Sequence, residues 1–399
     1  MSKFFQYGLP LGFSAVLLLF WVDAVFLGAG AQVPSFENKK AVKKPDFRLN
    51  YLDPFPRDAE AYFNDRFPWK GLYQRVNGHL QALTKARSPL PDLVVLGKDD
   101  WLYKGGLQLD IYRGKRRFSP AELTQVIAEL KTRRDSIQAR GGHYYLVVAP
   151  LKHHIYPQFL PGHVRPLNEA HAVAQLQAAM REAELPFIDL HLPLKTYAAA
   201  HPPKSLAASD SLSITHNLYY RTDHHWTVRA GLIAADLILD SLRQEGLPLA
   251  DLDPTTYQIR SRPNHGMTLA KMIGLDRDDQ DHFLTLHHSW TTEELDRPDI
   301  KPSYRFPYPT SYVKHRRQKE LQQRLALPSL FVTRESFGEN IVLPLSEHFG
   351  KSFFLFDEWN HQLNLDHYDR EGQAEVYLQL VWEGFLFNLL ELPEDDGKW

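Results

Sequence analysis

The chain contains no cysteine in 399 residues. That single absence removes disulfides, thiolate nucleophiles and Cys-ligated zinc or iron–sulfur centres. It leaves the compartment open, because a cysteine-free protein is tolerated on either side of a membrane. An excess of charge is missing too: 46 Lys and Arg stand against 48 Asp and Glu, a formal net charge of -2. No bulk field therefore draws the protein to nucleic acid. There is no internal repeat, no low-complexity tract, no His-Glu-x-x-His and no Gly-x-Ser-x-Gly. No metal or cofactor site is expected from spacing. What remains is a globular composition, 43% apolar and 24% charged, long enough for one large domain or two ordinary ones.

Residues 7–31 form an apolar run with Asp23 as its one charge. Roughly twenty such residues suffice to cross a bilayer, whereas a cleaved signal peptide has an apolar region of roughly 7–15. The run is therefore read as a transmembrane anchor over 1–31, with cleavage at Ala29-Gly30-Ala31 as the alternative. Lys39, Lys40, Lys43 and Lys44 follow it, a charge bias against an inward amino terminus. Residues 32–46, polar with Pro34 and Pro45, read as a linker. A single domain over 47–399 follows.

Within that domain the spacing predicts helices over Pro56–Phe67 and Trp69–Ala86, then a strand, turn and strand over Leu93–Tyr103 with the turn at Gly97–Asp100. Ser119-Pro120-Ala121-Glu122 is a capping box that starts a helix running to about Arg140. The β-branched and aromatic run Tyr144–Pro150 reads as a strand buried on both faces. A helix over about Leu167–Glu184 leads to a short strand at Phe187–Leu190. Thr227 caps a helix from Val228 to about Glu245, on which Gly231, Ala234 and Ala235 permit close approach. Strands are expected at Leu330–Thr333 and Ser352–Phe356, and Glu375–Leu392 is apolar strand or helix. The alternation predicts an α/β fold, a largely parallel sheet flanked by helices. Arg260–Lys314, rich in proline and poor in periodicity, reads as an irregular insertion reaching to about residue 325.

Two stretches carry chemistry. In Thr222-Asp223-His224-His225-Trp226-Thr227 an acid lies two residues before an imidazole. The two can meet on one side of an extended chain or through a turn. Ser336 lies where a strand ends and a helix begins. Such a junction exposes a hydroxyl at the carboxyl edge of a sheet and aims backbone N–H groups at a substrate oxygen. Asp223, His225 and Ser336 are the candidate catalytic residues, with Trp226 as a wall and Asn340 as a further donor. Taken alone, Asp-His-His is more often a hydrogen-bonded loop, and Ser336 could simply cap its helix. A metal site with His216 is a minor alternative. Lys152, His153 and His154 also sit just past a strand end, where structural histidines are the more common outcome.

These pieces together resemble the DHHW/alginate O-acetyltransferase-like family, whose domain is SGNH hydrolase-like. The resemblance rests on Phe63-Asn-Asp-Arg-Phe67, Val94-Val-Leu-Gly-Lys-Asp-Asp-Trp-Leu-Tyr103, Val147–Pro157, Thr222–Thr227 and Arg334-Glu-Ser-Phe-Gly338, in family order. It implies a Ser336–His225–Asp223 triad, an acyl-enzyme and O-acetylation of a secreted or cell-envelope polysaccharide such as alginate. It further implies an inner-membrane anchor with the domain in the periplasm or outside, an acyl donor supplied through a multi-spanning membrane acyltransferase, and no cofactor. Glu335 replaces the family's usual Asp, and Arg334 stands where SGNH motifs commonly have Gly. An acetyl esterase and a non-catalytic glycan-binding or assembly subunit are the other readings.

Overall fold

The computed structural model describes residues 55–66, 92–168, 171–203, 211–275, 281–295, 313–357 and 361–390, with isolated positions 14, 15, 18 and 22. The anchor, the linker and the Trp69–Ala86 helix thus lie outside the described residues, apart from those four positions. Among the described residues no helix is long and apolar enough to cross a membrane.

The described strands, β1 to β11 in chain order, are Val94–Leu96, Leu102–Lys104, His143–Ala149, Phe187–Asp189, Gln258–Asn264, Asp281–His287, Thr292–Glu294, Val313–Gln318, Ser329–Arg334, Lys351–Phe356 and Val376–Trp382. Seven of them make one sheet in the order β4-β3-β11-β9-β10-β8-β7. The first five run parallel, while β8 and β7 add antiparallel pairs at one edge. The central strands are mostly apolar and buried on both faces, as expected of parallel strands inside an α/β sheet. Every residue of β11 is buried, as is every residue of β3 after His143. Full burial of each such Val or Leu contributes about 1.5–3 kcal/mol relative to exposure.

The helix Pro120–Gln138 begins with the expected box: Glu122 N–H donates to Ser119 Oγ (3.2 Å) and Ser119 N–H to Glu122 Oε2 (2.8 Å). It packs on β3, beside the helix Ala172–Glu182. The helix Val228–Gln244 starts at Thr227, whose side chain accepts from Arg229 N–H. Ala230, Gly231, Ala234, Ile238 and Leu242 are buried on its inner face, at the spacing of one helical stripe. The Glu375–Leu392 stretch divides into β11 and 3-10 turns over Glu383–Leu390.

The stretch read as irregular holds regular structure. β5 and β6 form an antiparallel hairpin, Thr268–Met272 is a short helix, and β7 and β8 extend the main sheet. β7 has only three residues at the sheet edge, and β5 has no buried residue. No apolar run announces them, and Pro263 sits in a two-stranded ribbon where a missing N–H is tolerated. Pairing with neighbours, rather than local pattern, makes them strands. They also turn a sheet expected to be largely parallel into a mixed one.

Candidate active site

The Asp223–His225 loop hangs from a narrow waist. Tyr219 and Trp226 form an isolated antiparallel bridge, and Thr227 N–H donates to Leu218 C=O at 2.9 Å. Between them Asp223 makes an Asx turn: its Oδ1 accepts from His225 N–H at 3.0 Å and meets His225 Nδ1 at 2.8 Å. Asp223 Oδ2 accepts from Thr268 N–H at 3.2 Å, so both carboxylate oxygens are engaged. The acid and the imidazole thus meet through a turn rather than an extended chain.

Two buried charges hold this loop in place. The Lys152 ammonium points at four carbonyl oxygens, those of Leu102, Tyr220, Arg221 and Asp223, at 2.6–3.1 Å. Asp281, the first residue of β6, accepts from the Thr222 N–H and hydroxyl at 2.6 and 2.7 Å. Burial pulls the Lys152 pKa down to about 7, against the pull of Asp281 and Asp223. A cation is nonetheless what four converging carbonyls favour, since a neutral amine would turn its lone pair toward one of them.

Ser336 opens a 3-10 turn, Ser336–Ile341, at the carboxyl end of β9. Its Oγ lies 2.9 Å from His225 Nε2, completing a hydrogen-bonded chain from Ser336 through His225 to Asp223. The His225 side chain keeps 30% of its surface exposed while Asp223 keeps 8%, so the chain runs from a buried acid to an accessible hydroxyl. The two halves are stapled by Trp226, whose Nε1 donates to Phe337 C=O at 2.8 Å, and by Asn340, whose Nδ2 donates to Trp226 C=O at 3.3 Å. Gly231 makes this fit possible: a Cβ there would lie 2.5 Å from Asn340 Cβ.

Burial opposes ionisation of Asp223, but His225 and His224 beside it hold its carboxyl well below the usual range. Burial lowers the pKa of His225; Asp223 more than offsets this, and the net shift is upward. His224 is pushed to about 4 by burial and by His225, so it stays neutral. It packs on Trp382 with ring centroids 5.3 Å apart. Burial raises Glu335 to about 7. Its Oε2 accepts from Phe337 N–H at 2.8 Å and lies 3.2 Å from Ser336 Oγ, while its Oε1 is buried without a hydrogen-bond partner.

Several expectations are replaced. The N–H groups of Phe337 and Gly338 are committed to Glu335, through its carboxylate and its carbonyl (3.1 Å) respectively, rather than pointing at a substrate oxygen. Asn340 braces the Trp226 loop, and fully buried Trp226 is a strut rather than a wall. Gly338 makes room for buried Arg334, whose Cδ a Cβ would approach to 2.5 Å. His216 takes the Tyr197 hydroxyl at 2.7 Å on its Nδ1. Asp223, His224 and His225 have donor atoms close enough for a metal ion, but both ring nitrogens of His225 already serve Asp223 and Ser336. Lys152 had been placed only near a strand end, and Asp281 gave no signal, being one acid in a stretch without pattern.

Residues 94–294, half of the chain, match the family model described as an SGNH hydrolase-like domain of the acetyltransferase AlgX. The match includes the Asp223–His225 loop and ends before Ser336. A curated relative, the probable alginate O-acetylase AlgJ of Pseudomonas putida, is 24% identical over 197 residues, 47% of this chain and 43% of that protein. The aligned part thus spans less than half of the relative's length. Among solved structures, Bacillus cereus PatB1 with a sulfonyl adduct shares 14% identity at a TM-score of 0.50, over 74% of this chain and 98% of PatB1. The O-acetyltransferase domain of Pseudomonas putida AlgJ gives 18% and 0.46, over 77% of this chain and 95% of that domain.

Proposed function

The chain belongs to the family of the AlgX SGNH hydrolase-like domain, and from that premise we propose that it is an O-acetyltransferase acting on polysaccharide hydroxyls. The observation that supports this most directly is the chain of contacts from Ser336 Oγ to His225 Nε2 (2.9 Å) and from His225 Nδ1 to Asp223 Oδ1 (2.8 Å). With the Nδ1 proton directed at Asp223, Nε2 offers its lone pair to the serine hydroxyl. His225 takes the Ser336 proton as Oγ attacks the acetyl carbonyl, and returns it to the departing donor group. That leaves an acetyl-serine. A sugar hydroxyl then gives its proton to His225 and attacks the same carbonyl, which forms the sugar ester and frees Ser336. Asp223 stabilises the imidazolium in both halves.

In the same reading the domain, residues 47–399, works outside the cytoplasm, with residues 1–31 as its inner-membrane anchor. A multi-spanning membrane acyltransferase would supply the acetyl group. The test is incubation of the protein with an activated acetyl ester and an oligosaccharide. Acetylated sugar is expected, and Ser336→Ala should lower its yield by about 10⁴-fold or more. Undiminished transfer by that variant would refute the mechanism, and ester loss without acetylated sugar would make the protein an esterase. A second reading, a glycan-binding subunit without turnover, has one observation in its favour: Glu335 competes with His225 for the Ser336 hydroxyl. A serine-directed phosphonate that never labels Ser336 would support it.

A further inference from the structure

A second cluster of histidines and a carboxylate lies along the same sheet edge and takes no part in the acyl-transfer chain. Glu383 follows directly on β11, His154 lies in the short turn after β3, and His191 begins the helix after β4. β4, β3 and β11 are adjacent parallel strands, so their carboxyl ends converge. His171 joins them from the start of the helix Ala172–Glu182. The Glu383 side chain is fully buried, and its two oxygens are treated differently. Oε2 accepts from Leu151 N–H at 2.8 Å and meets His191 Nε2 at 3.0 Å. Among the described residues Oε1 has no hydrogen-bond donor, although His154 Nε2 lies 3.1 Å and His171 Nδ1 3.9 Å away. Those two ring nitrogens are buried and likewise lack hydrogen-bond partners.

A buried carboxylate oxygen facing two imidazole nitrogens, close but not aligned for hydrogen bonding, supplies the donor set of a metal coordination shell. The three donor atoms lie within 4.8 Å of one another. Tetrahedral zinc with ligand bonds of about 2.0–2.2 Å sets its donors roughly 3.3–3.6 Å apart, a spacing that falls between the 3.1 and 3.9 Å observed here. We propose that His154 Nε2, His171 Nδ1 and Glu383 Oε1 bind a divalent transition metal of the zinc class. His191 is the positioning residue that fixes the far oxygen of the carboxylate. Two nitrogens and one oxygen suit zinc over magnesium or calcium. The side chains of His154 and His171 are 15% and 25% exposed, so both rings reach the surface while their donor atoms face inward. Trp382, the chain neighbour of Glu383, stacks on Phe337, the chain neighbour of Ser336, with ring centroids 5.2 Å apart. The proposal is independent of the acyl-transfer reading.

The test is titration of the chelator-treated full chain with zinc chloride by calorimetry, with cobalt(II) absorption as a spectroscopic reporter. One zinc per chain is expected at a Kd below about 1 μM, with a four-coordinate cobalt spectrum and a raised Tm. His171→Ala should abolish all three, and its partly exposed position makes it the variant most able to fold, as circular dichroism would verify. His191→Ala should weaken binding about 10–100-fold, and Ser336→Ala should leave it unchanged. Absence of binding at micromolar zinc would overturn the proposal. So would stoichiometric binding that persists in His171→Ala, or that is lost instead in His224→Ala.

Discussion

Two histidine–carboxylate clusters share the carboxyl edge of one sheet, yet they differ in how their acids are satisfied. Asp223 has both oxygens engaged, by His225 through its ring and its backbone and by Thr268 N–H. Glu383 has one oxygen engaged and one left without a donor. The saturated Asp223 carboxylate holds the His225 ring at 2.8 Å, with His224 Nδ1 at 3.2 Å beside it, and keeps the His225 tautomer, which suits proton transfer. A half-satisfied one, faced by two imidazole nitrogens, suits a cation. The chemistry of each cluster follows from the partners of its acid rather than from the residue types, which are nearly the same.

The contrast can be broken most sharply at Asp223. Asp223→Asn keeps the shape but loses the acceptor that fixes the His225 tautomer, and acetyl transfer should fall about 10³–10⁴-fold. Retained transfer would mean that His225 needs no orienting acid, and the distinction between the clusters would collapse. Next in size is Lys152→Met. It strands four carbonyls under the loop and should cost about 3 kcal/mol in urea unfolding, with slower transfer as the loop relaxes. A change below about 0.5 kcal/mol would show that the loop is held by its waist alone.

Gly231→Ala comes third. A helix interior would normally gain about 0.5–1 kcal/mol from this change. Here the new methyl meets Asn340, and a loss of about 1–3 kcal/mol is expected from thermal or urea unfolding. A pH-dependent effect sits at Glu335, whose pKa burial raises to about 7 from an ordinary 4.5. Between those values the folded state binds more protons than the unfolded one, so stability should decline as pH rises through that window. Glu335→Gln should flatten the decline, as urea unfolding at the two ends of the window would show. His225, shifted upward by Asp223, acts on activity with the opposite sign. Transfer should fail as pH drops through a midpoint above its ordinary 6.5, where the base becomes protonated.

The sequence by itself determined what local forces can determine. The Ser119–Glu122 box, the Thr227 cap and the apolar runs of β3, β9 and β11 were legible because neighbours in the chain decide them. Asp223 and His225 were legible for the same reason: an Asx turn joins residues two apart, so their pairing is written in three consecutive letters. Ser336 was visible as a hydroxyl at a strand end, 111 residues from its base. Which oxygen it would share, and that Glu335 would compete for it, was not visible. The strands β5 to β8 were missed because strands of mixed polarity depend on their partners. Asp281, His171 and Glu383 had no signal at all, and Lys152 and His154 stood out only as residues just past a strand end. Their meaning comes from carbonyls and rings brought together across the sheet. Only tertiary structure decides that, because the cost of burying a charge or a lone pair is set by whichever distant groups arrive to meet it.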